Sequence, residues 1–432
     1  MLVQEIFSVA TRFRSTSTFI IMSIALREEN FVVINVGSTI TTAGINMHDT
    51  NKPPSVIVNM ADFNYPIKNN VIVNWKDLEE CWHHILFKEL NIKKSRNESP
   101  VLIAVPVQWT KLEQERITQI FFENFNVPGV YIAPQPLLTL FGCGSVSGMV
   151  VDIGSENTDV NIIVDSNVQP QSDFSIPIGG NHFDTYFLKL LQKDNKLVEQ
   201  FANTGLELDV EFAKFVRESP GICNVSVGHE LEDNMLAAEL SNAMEELPTE
   251  STEDLIDEET PKKVEEEDVG DVPENVEIEY KEHKFTIGPY RHDCMDALFN
   301  PELLNIDTPS LPEVMRLSAM NCEPPEIRPK LWENITVAGG CCLTAGITKR
   351  IKTEAQLFLP HSDNTGDTQP RQLSFLRIPD YFTVLKDKQY QPYSTWLGAE
   401  IVAKLVFIDA KNYISKVDYN ESGPSVVHTK TY

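Results

Sequence analysis

Apolar positions along this chain fall into two alternating rhythms, a short continuous run and a helical stripe. Phe31-Val32-Val33-Ile34-Asn35-Val36 reads as a buried strand, and Gly37 to Gly44 reads as the turn-rich segment after it. A helix is predicted from about Asn74, with Asp77 in its first turn. Its apolar positions Leu78, Cys81, Trp82, Ile85, Leu86 and Leu90 share one face. Val101-Leu102-Ile103-Ala104-Val105 predicts a second internal strand. Thr110 and Glu113 have the spacing of a capping box, opening a helix with the stripe Ile117, Ile120, Phe121 and Phe125.

The second half repeats the theme. Met149-Val150-Val151-Asp152 and Val160-Asn161-Ile162-Ile163-Val164 predict a hairpin around Gly154 to Asp159. Gly179-Gly180 introduces an amphipathic helix through Phe183, Phe187, Leu188 and Leu191. Ile335-Thr336-Val337-Ala338 is a strand entering Gly339-Gly340, with a helix from Gly346 onward. Strands alternating with helices define an α/β fold. Residues 230–280 break the pattern: Glu245-Glu246, Asp257-Glu258-Glu259 and Glu265-Glu266-Glu267-Asp268 are acidic blocks with few aromatics, the composition of a disordered insertion.

Length and charge narrow the picture. At 432 residues the chain exceeds one small core, so two lobes are expected. A formal net charge of −27 repels phosphate backbones, and no basic patch offsets it, which argues against direct DNA binding. No apolar run reaches the roughly 18 residues of a membrane helix. The seven cysteines include no C-x-x-C pair, and an odd number suits a reducing compartment better than a disulfide framework. His83-His84 invites a metal reading. Neighbours on a helix point about 100° apart, so one core and one surface histidine is the expectation, and no metal site is assigned. Cys341-Cys342 reads as packed thiols. Residues 1–30, with Arg12 and Arg14 before Phe19-Ile20-Ile21-Met22, are expected to be a disordered extension; a transit peptide is the alternative.

Three strand-to-turn junctions carry glycine: Gly37, Gly154 and Gly339-Gly340. Exposed N–H groups at such turns can cradle phosphate. In this order they point to a family. Tyr65-Pro66-Ile67, Asn74-Trp75, Trp82-His83-His84, Glu89-Leu90, Thr118-Gln119-Ile120, Phe122-Glu123, Phe125-Asn126 and Tyr419-Asn420-Glu421-Ser422-Gly423-Pro424-Ser425-Val426-Val427-His428 resemble the matching runs of actins and actin-related proteins. The resemblance covers nearly all of residues 31–432 apart from the acidic insertion. It implies an actin-like two-lobed α/β fold, shared with Hsp70 and sugar kinases. Residues 31–147 with 385–432 form the first lobe, and 148–384 the second. Only twenty residues separate Gly44 from Tyr65, so the outer subdomain of the first lobe is reduced and no filament is expected.

The resemblance also locates a nucleotide cleft, formed by Gly37, Ser38, Asp152, Gly154, Thr158, Glu218, Gly339 and Gly340. Gln135 matches the glutamine that positions attacking water, and Arg217-Glu218 matches the adenine-side pair. The departures fall on the catalytic half. Asn35, Thr39 and Thr42 stand where actin has a magnesium-side acid, a flexible glycine and a phosphate-facing lysine. Losing that lysine forfeits roughly 4 kcal/mol at 4 Å and an effective dielectric of 20. Glu156 stands where actin has glycine, Asp159 where it has histidine, and Thr344 where it has an aromatic. Gln135 and Asp152 are therefore remnants, the expected chain is not an enzyme, and at most weak ATP or ADP binding is left, with no cofactor required.

Ser175-Ile176-Pro177-Ile178-Gly179-Gly180, Trp332-Glu333-Asn334-Ile335, Ile378-Pro379-Asp380-Tyr381-Phe382 and Leu397-Gly398-Ala399-Glu400-Ile401-Val402-Ala403-Lys404 resemble actin-related protein nine of SWI/SNF- and RSC-type chromatin remodellers. This implies a nuclear pseudo-ATPase. It would pair with a second actin-related protein and grip the helicase-SANT-associated helix of the remodeller ATPase, with histones as a further partner for the acidic insertion. The groove positions implied are Phe141, Gly142, Val146, Asn167, Val402, Leu405 and Phe407; core packing is the competing reading for Val402 and Leu405. The alternative function is an actin-like ATPase of cytoskeletal or dynactin type.

Overall fold

The structure, a computed structural model, describes residues 30–45, 51–226, 275–359 and 373–431. Residues 1–29 of the expected extension and 230–274 of the expected acidic insertion lie outside the described residues. The strands are β1 (Val32–Asn35), β2 (Ile40–Ile45), β3 (Val56–Asn59), β4 (Ile67–Lys68), β5 (Val71–Ile72), β6 (Val101–Val105), β7 (Gly129–Pro134), β8 (Gly148–Ile153), β9 (Thr158–Val164), β10 (Asn167–Val168), β11 (Phe174–Ile176), β12 (Val276–Tyr280), β13 (His283–Ile287), β14 (Ile335–Ala338) and β15 (Ile414–Ser415). The α-helices are α1 (Trp75–His84), α2 (Lys111–Gln119), α3 (Gln135–Gly142), α4 (Gly180–Leu191), α5 (Asn195–Thr204), α6 (Val210–Glu218), α7 (Leu311–Asn321), α8 (Arg328–Glu333), α9 (Ile347–Gln356), α10 (Ser394–Val406), α11 (Lys416–Ser422) and α12 (Val427–Lys430). None is long and apolar enough to cross a membrane.

The chain divides into two compact units, residues 1–150, 161–170 and 377–432 in one, and 151–160 with 171–376 in the other. The first unit holds a six-stranded sheet in the order β15-β7-β6-β1-β2-β3. Its centre is parallel, β1 with β6 and β6 with β7. Every residue of β6 is buried, as its unbroken apolar run requires. Both predicted helix starts hold. Asn74 Oδ1 accepts the Lys76 and Asp77 amides at 3.0 and 3.3 Å. Thr110 and Glu113 exchange hydrogen bonds in a full capping box. Each stripe then continues through a π turn, Ile85–Glu89 and Ile120–Asn124, and the two meet where the Trp82 and Phe121 rings lie 5.3 Å apart.

Three expectations change. The turn after β1 is shorter than Gly37 to Gly44: β2 begins at Ile40 and pairs antiparallel with β1, setting Thr42 opposite Asn35. A run of isoleucine and threonine prefers a strand once the Gly37 amide is anchored on Thr41 Oγ1, 3.3 Å away. A strand, β12, also starts at Val276, inside the interval assigned to the insertion. Glu277 and Glu279 occupy its outer face while Ile278 and Tyr280 alternate inward, so the acidic composition masked an ordinary period-2 strand. Finally, neither histidine of the pair is core. His83 is exposed and His84 is half-buried, paired with Glu89 at 2.9 Å, because the buried face of α1 runs through Leu78, Cys81 and Trp82.

Helices α3 and α10 cross in the first unit at backbone contact. A Cβ on Gly398 would lie 1.8 Å from the Leu138 carbonyl oxygen, and one on Gly142 would lie 2.0 Å from that of Ser394. Thr139 and Thr395 join their hydroxyls across the crossing at 2.8 Å.

The second sheet runs β10-β9-β8-β14, with β11 on β9. In the second unit β12 and β13 pair as a separate hairpin. Phe285 of β13 stacks on Phe201 of α5 at 4.2 Å and meets Phe212 of α6 edge-on at 5.4 Å.

Candidate functional site

In the first unit, β1 ends at Asn35 and the chain reverses through Val36–Thr39. A Cβ on Gly37 would lie 2.2 Å from the Ile40 carbonyl oxygen, so this turn accepts only glycine. Ser38 sits half-buried within it. Gln135, the first residue of α3, donates its amide to Asn35 Oδ1 at 2.9 Å and to the Val36 carbonyl. The side chain expected to hold a water is thus latched to the loop itself. Thr42 is buried, and its hydroxyl finds no partner among the described residues.

In the second unit, the loop between β8 and β9 is tied down by α4. Gly180 N–H donates to the Gly154 carbonyl at 2.9 Å and Asn181 N–H to that of Ser155 at 2.8 Å. Gly154 N–H donates to the Asn157 carbonyl, also at 2.9 Å. Gly179 is required here, since its Cβ would lie 2.7 Å from the Gly154 oxygen. Thr158, expected to contact a nucleotide, is fully buried. Its hydroxyl donates to the Ile178 carbonyl at 2.8 Å, so it stitches β9 to the segment before α4 instead.

The adenine-side pair is also redistributed. Arg217 is buried and binds Asp184 with two nitrogens, at 2.6 and 3.3 Å. Glu218, its side chain 54% exposed, meets Arg217 at 3.3 Å. Asp184 was missed in the sequence, although a charged residue at i−3 and i−7 from the stripe positions Phe187 and Leu191 was the available signal. Cys341 packs beneath, its sulfur 3.6 Å from the Gly154 oxygen, and burial pushes its thiol up to about 11. It is a packed thiol. Gly339 has φ +83°, and a Cβ there would lie 2.4 Å from Asp152 Oδ1; Gly340 faces open space.

Burial, helped by the negative field of Asp159, raises Asp152 from the usual carboxylate range to about 7. A raised carboxylate pKa favours the folded state below the unfolded value and withdraws that support as pH climbs through the folded one. Asp152→Asn should therefore stabilise the protein little at pH 3 and by on the order of 1–4 kcal/mol at pH 8. Thermal denaturation of both proteins across that range checks the sign.

These groups do not fit a magnesium nucleotide. The first loop offers Asn35 and Thr42 with neither carboxylate nor ammonium, the Gln135 amide is engaged, and in the second loop the negative field of Asp159 falls on Asp152 while that of Glu156 falls on His182. Among the described residues no cluster of three or more His, Cys, Asp or Glu could hold a metal.

The expected partner groove divides in two. Phe141, Gly142 and Val402 are buried, the glycine within the α3–α10 crossing, so these three are core. The Phe407 ring packs against Phe31 at 6.0 Å and Tyr413 at 5.1 Å. Val146 and Leu405 remain half-exposed and Asn167 exposed. Asn167 instead helps line a cavity of about 260 Å³ at the carboxyl ends of β6 and β7, with Val105, Gln114 and Pro134.

The two-sheet α/β architecture, with glycine turns closing β1, β8 and β14, defines an actin-like fold. A family model described as Actin matches residues 36–432, and the chain belongs to the actin family. Actin-related protein 7 of Oryza sativa subsp. indica and of subsp. japonica are each 25% identical over 418 residues, covering 93% of this chain and 99% of theirs.

Proposed function

We propose that this chain is a non-catalytic, nuclear actin-related subunit of a SWI/SNF- or RSC-type chromatin remodelling complex, most like actin-related protein nine. It pairs with a second actin-related protein and holds the helicase-SANT-associated helix of the remodeller ATPase. The observation that carries the non-catalytic reading is the Gln135 latch. A glutamine whose amide is held by Asn35 and the Val36 carbonyl does not orient a water for attack on phosphate. The short motifs near Ser175, Trp332, Ile378 and Leu397 support the class. The net charge of −27 supports contact with basic protein segments over nucleic acid.

The purified chain is expected to release phosphate from magnesium ATP no faster than buffer, and to show at most weak ATP or ADP binding in calorimetry. Turnover at actin-like rates would sink the pseudo-ATPase reading. Affinity purification of the tagged chain should recover a remodeller ATPase and a second actin-related protein; recovery of dynactin or cytoskeletal components in their place would overturn the class.

A further inference from the structure

Among the described strands, β12 pairs with β13 alone, from Val276 opposite Ile287 to Tyr280 opposite His283. Lys281 and Glu282 turn the corner with φ +47° and +67°, the two left-handed positions of a type I′ turn. In such a hairpin the pair that closes the turn is hydrogen-bonded, and bonded and non-bonded pairs alternate from there. Val276, Ile278 and Tyr280 therefore bond to β13, while the N–H and C=O groups of Glu277 and Glu279 point away from it. On β13 the same alternation turns Lys284 and Thr286 outward. That edge is covered, since the Thr286 N–H donates to Gln200 Oε1 of α5 at 2.9 Å. Among the described residues nothing does the same for Glu277 or Glu279.

The two faces of β12 differ as sharply as its two edges. Ile278 and Tyr280 are buried, with the Tyr280 ring 5.1 Å from Phe212 and 5.0 Å from Phe215 of α6. Glu277 and Glu279 stand exposed on the outer face, and neither enters an ion pair among the described residues, although Lys284 lies opposite Glu279. The hairpin is thus anchored from beneath, with one backbone edge and one acidic face left to solvent.

An edge of this kind is a template for another strand. Charge decides which strand fits. A second copy of β12 would set glutamate against glutamate, and like charges directly opposite are destabilising. A segment with lysine or arginine at alternate positions sets its cations beside Glu277 and Glu279, which lie two residues apart on one face. The chain's charge of −27 draws such a segment in. We propose that β12 is a docking edge for an extended basic segment of a partner protein, which adds to the hairpin as a further strand. Main-chain hydrogen bonds at Glu277 and Glu279 supply the hold, and the two carboxylates select the charge. The inference stands on the hairpin and does not rest on the proposed function.

The probe is a short, fluorescently labelled synthetic peptide alternating lysine with threonine, titrated against the full chain by anisotropy. Glu279→Gln removes one outer charge and keeps the edge, and should weaken binding about threefold. Glu279→Pro also removes the outward donor, at a position that gives no N–H to β13, and should weaken binding about tenfold further. The same peptide N-methylated on its backbone supplies that test on the unaltered protein, with a loss of about tenfold or more. Bound peptide should slow exchange of the Glu277 and Glu279 amides about tenfold. Equal binding by wild type and both variants would mean that the overall negative field holds the peptide, and would overturn the inference. So would full binding of the N-methylated peptide, which would show a charge contact without strand addition. A lysine peptide bound no better than one alternating glutamate with threonine would overturn it as well. None of these outcomes alters which subunits affinity purification recovers, so the proposed function is tested separately.

Discussion

Arg217→Met is expected to cost about 3–5 kcal/mol of stability, because it leaves the buried Asp184 carboxylate without its guanidinium. The pair is nearly sealed, with side chains 5% and 3% exposed, so water cannot replace the lost partner. Desolvation alone would pull Arg217 down, yet its contacts with Asp184, Cys341 and Glu218 hold its pKa above the ordinary arginine value. The companion experiment separates a structural pair from a binding residue. Asp184→Leu combined with Arg217→Met should recover most of the loss, since apolar replacement of both members of a buried pair is often neutral or stabilising. Chemical denaturation of the single and double variants measures this. A single variant within about 0.5 kcal/mol of wild type would show that the pair is not structural.

Gly398→Ala is expected to be comparably severe. Inserting a methylene into a packed core costs about 1–3 kcal/mol, occasionally more. Here the new atom would lie 1.8 Å from the Leu138 carbonyl and 2.9 Å from the Gly142 amide nitrogen. Both obstacles are backbone, so relief requires α3 and α10 to separate, breaking the Thr139–Thr395 contact. The expected readout is a loss of about 3 kcal/mol or more in denaturation, or failure to accumulate as soluble protein. Gly205→Ala is a useful control. Its added Cβ meets nothing within 4 Å, leaving only the strain of φ +72°, so its cost should stay near 1 kcal/mol.

Much of this architecture was legible because local chemistry and global fold agree. Asn74 and Thr110-x-x-Glu113 announce two helix starts, and uninterrupted apolar runs announce β1 and β6. The glycines of the turns were legible too, since Gly37, Gly179 and Gly339 meet backbone or carboxylate oxygens that exclude any Cβ. What escaped was partner choice. Thr158 and Gln135 carry side chains fit for a ligand, and nothing in one dimension reveals that the Ile178 and Val36 carbonyls hold them. Arg217 reads as a binding residue until Asp184, thirty-three positions earlier, is brought beside it.

The Gln135 latch also makes the change hard to undo. Returning an aspartate to position 35 would hand the glutamine amide an ionised acceptor, and charge-assisted hydrogen bonds are roughly twice as strong as neutral ones. The first step back toward a working loop would grip the glutamine harder rather than free it. On the proposed function, a single substitution at position 35 would not by itself restore a working loop.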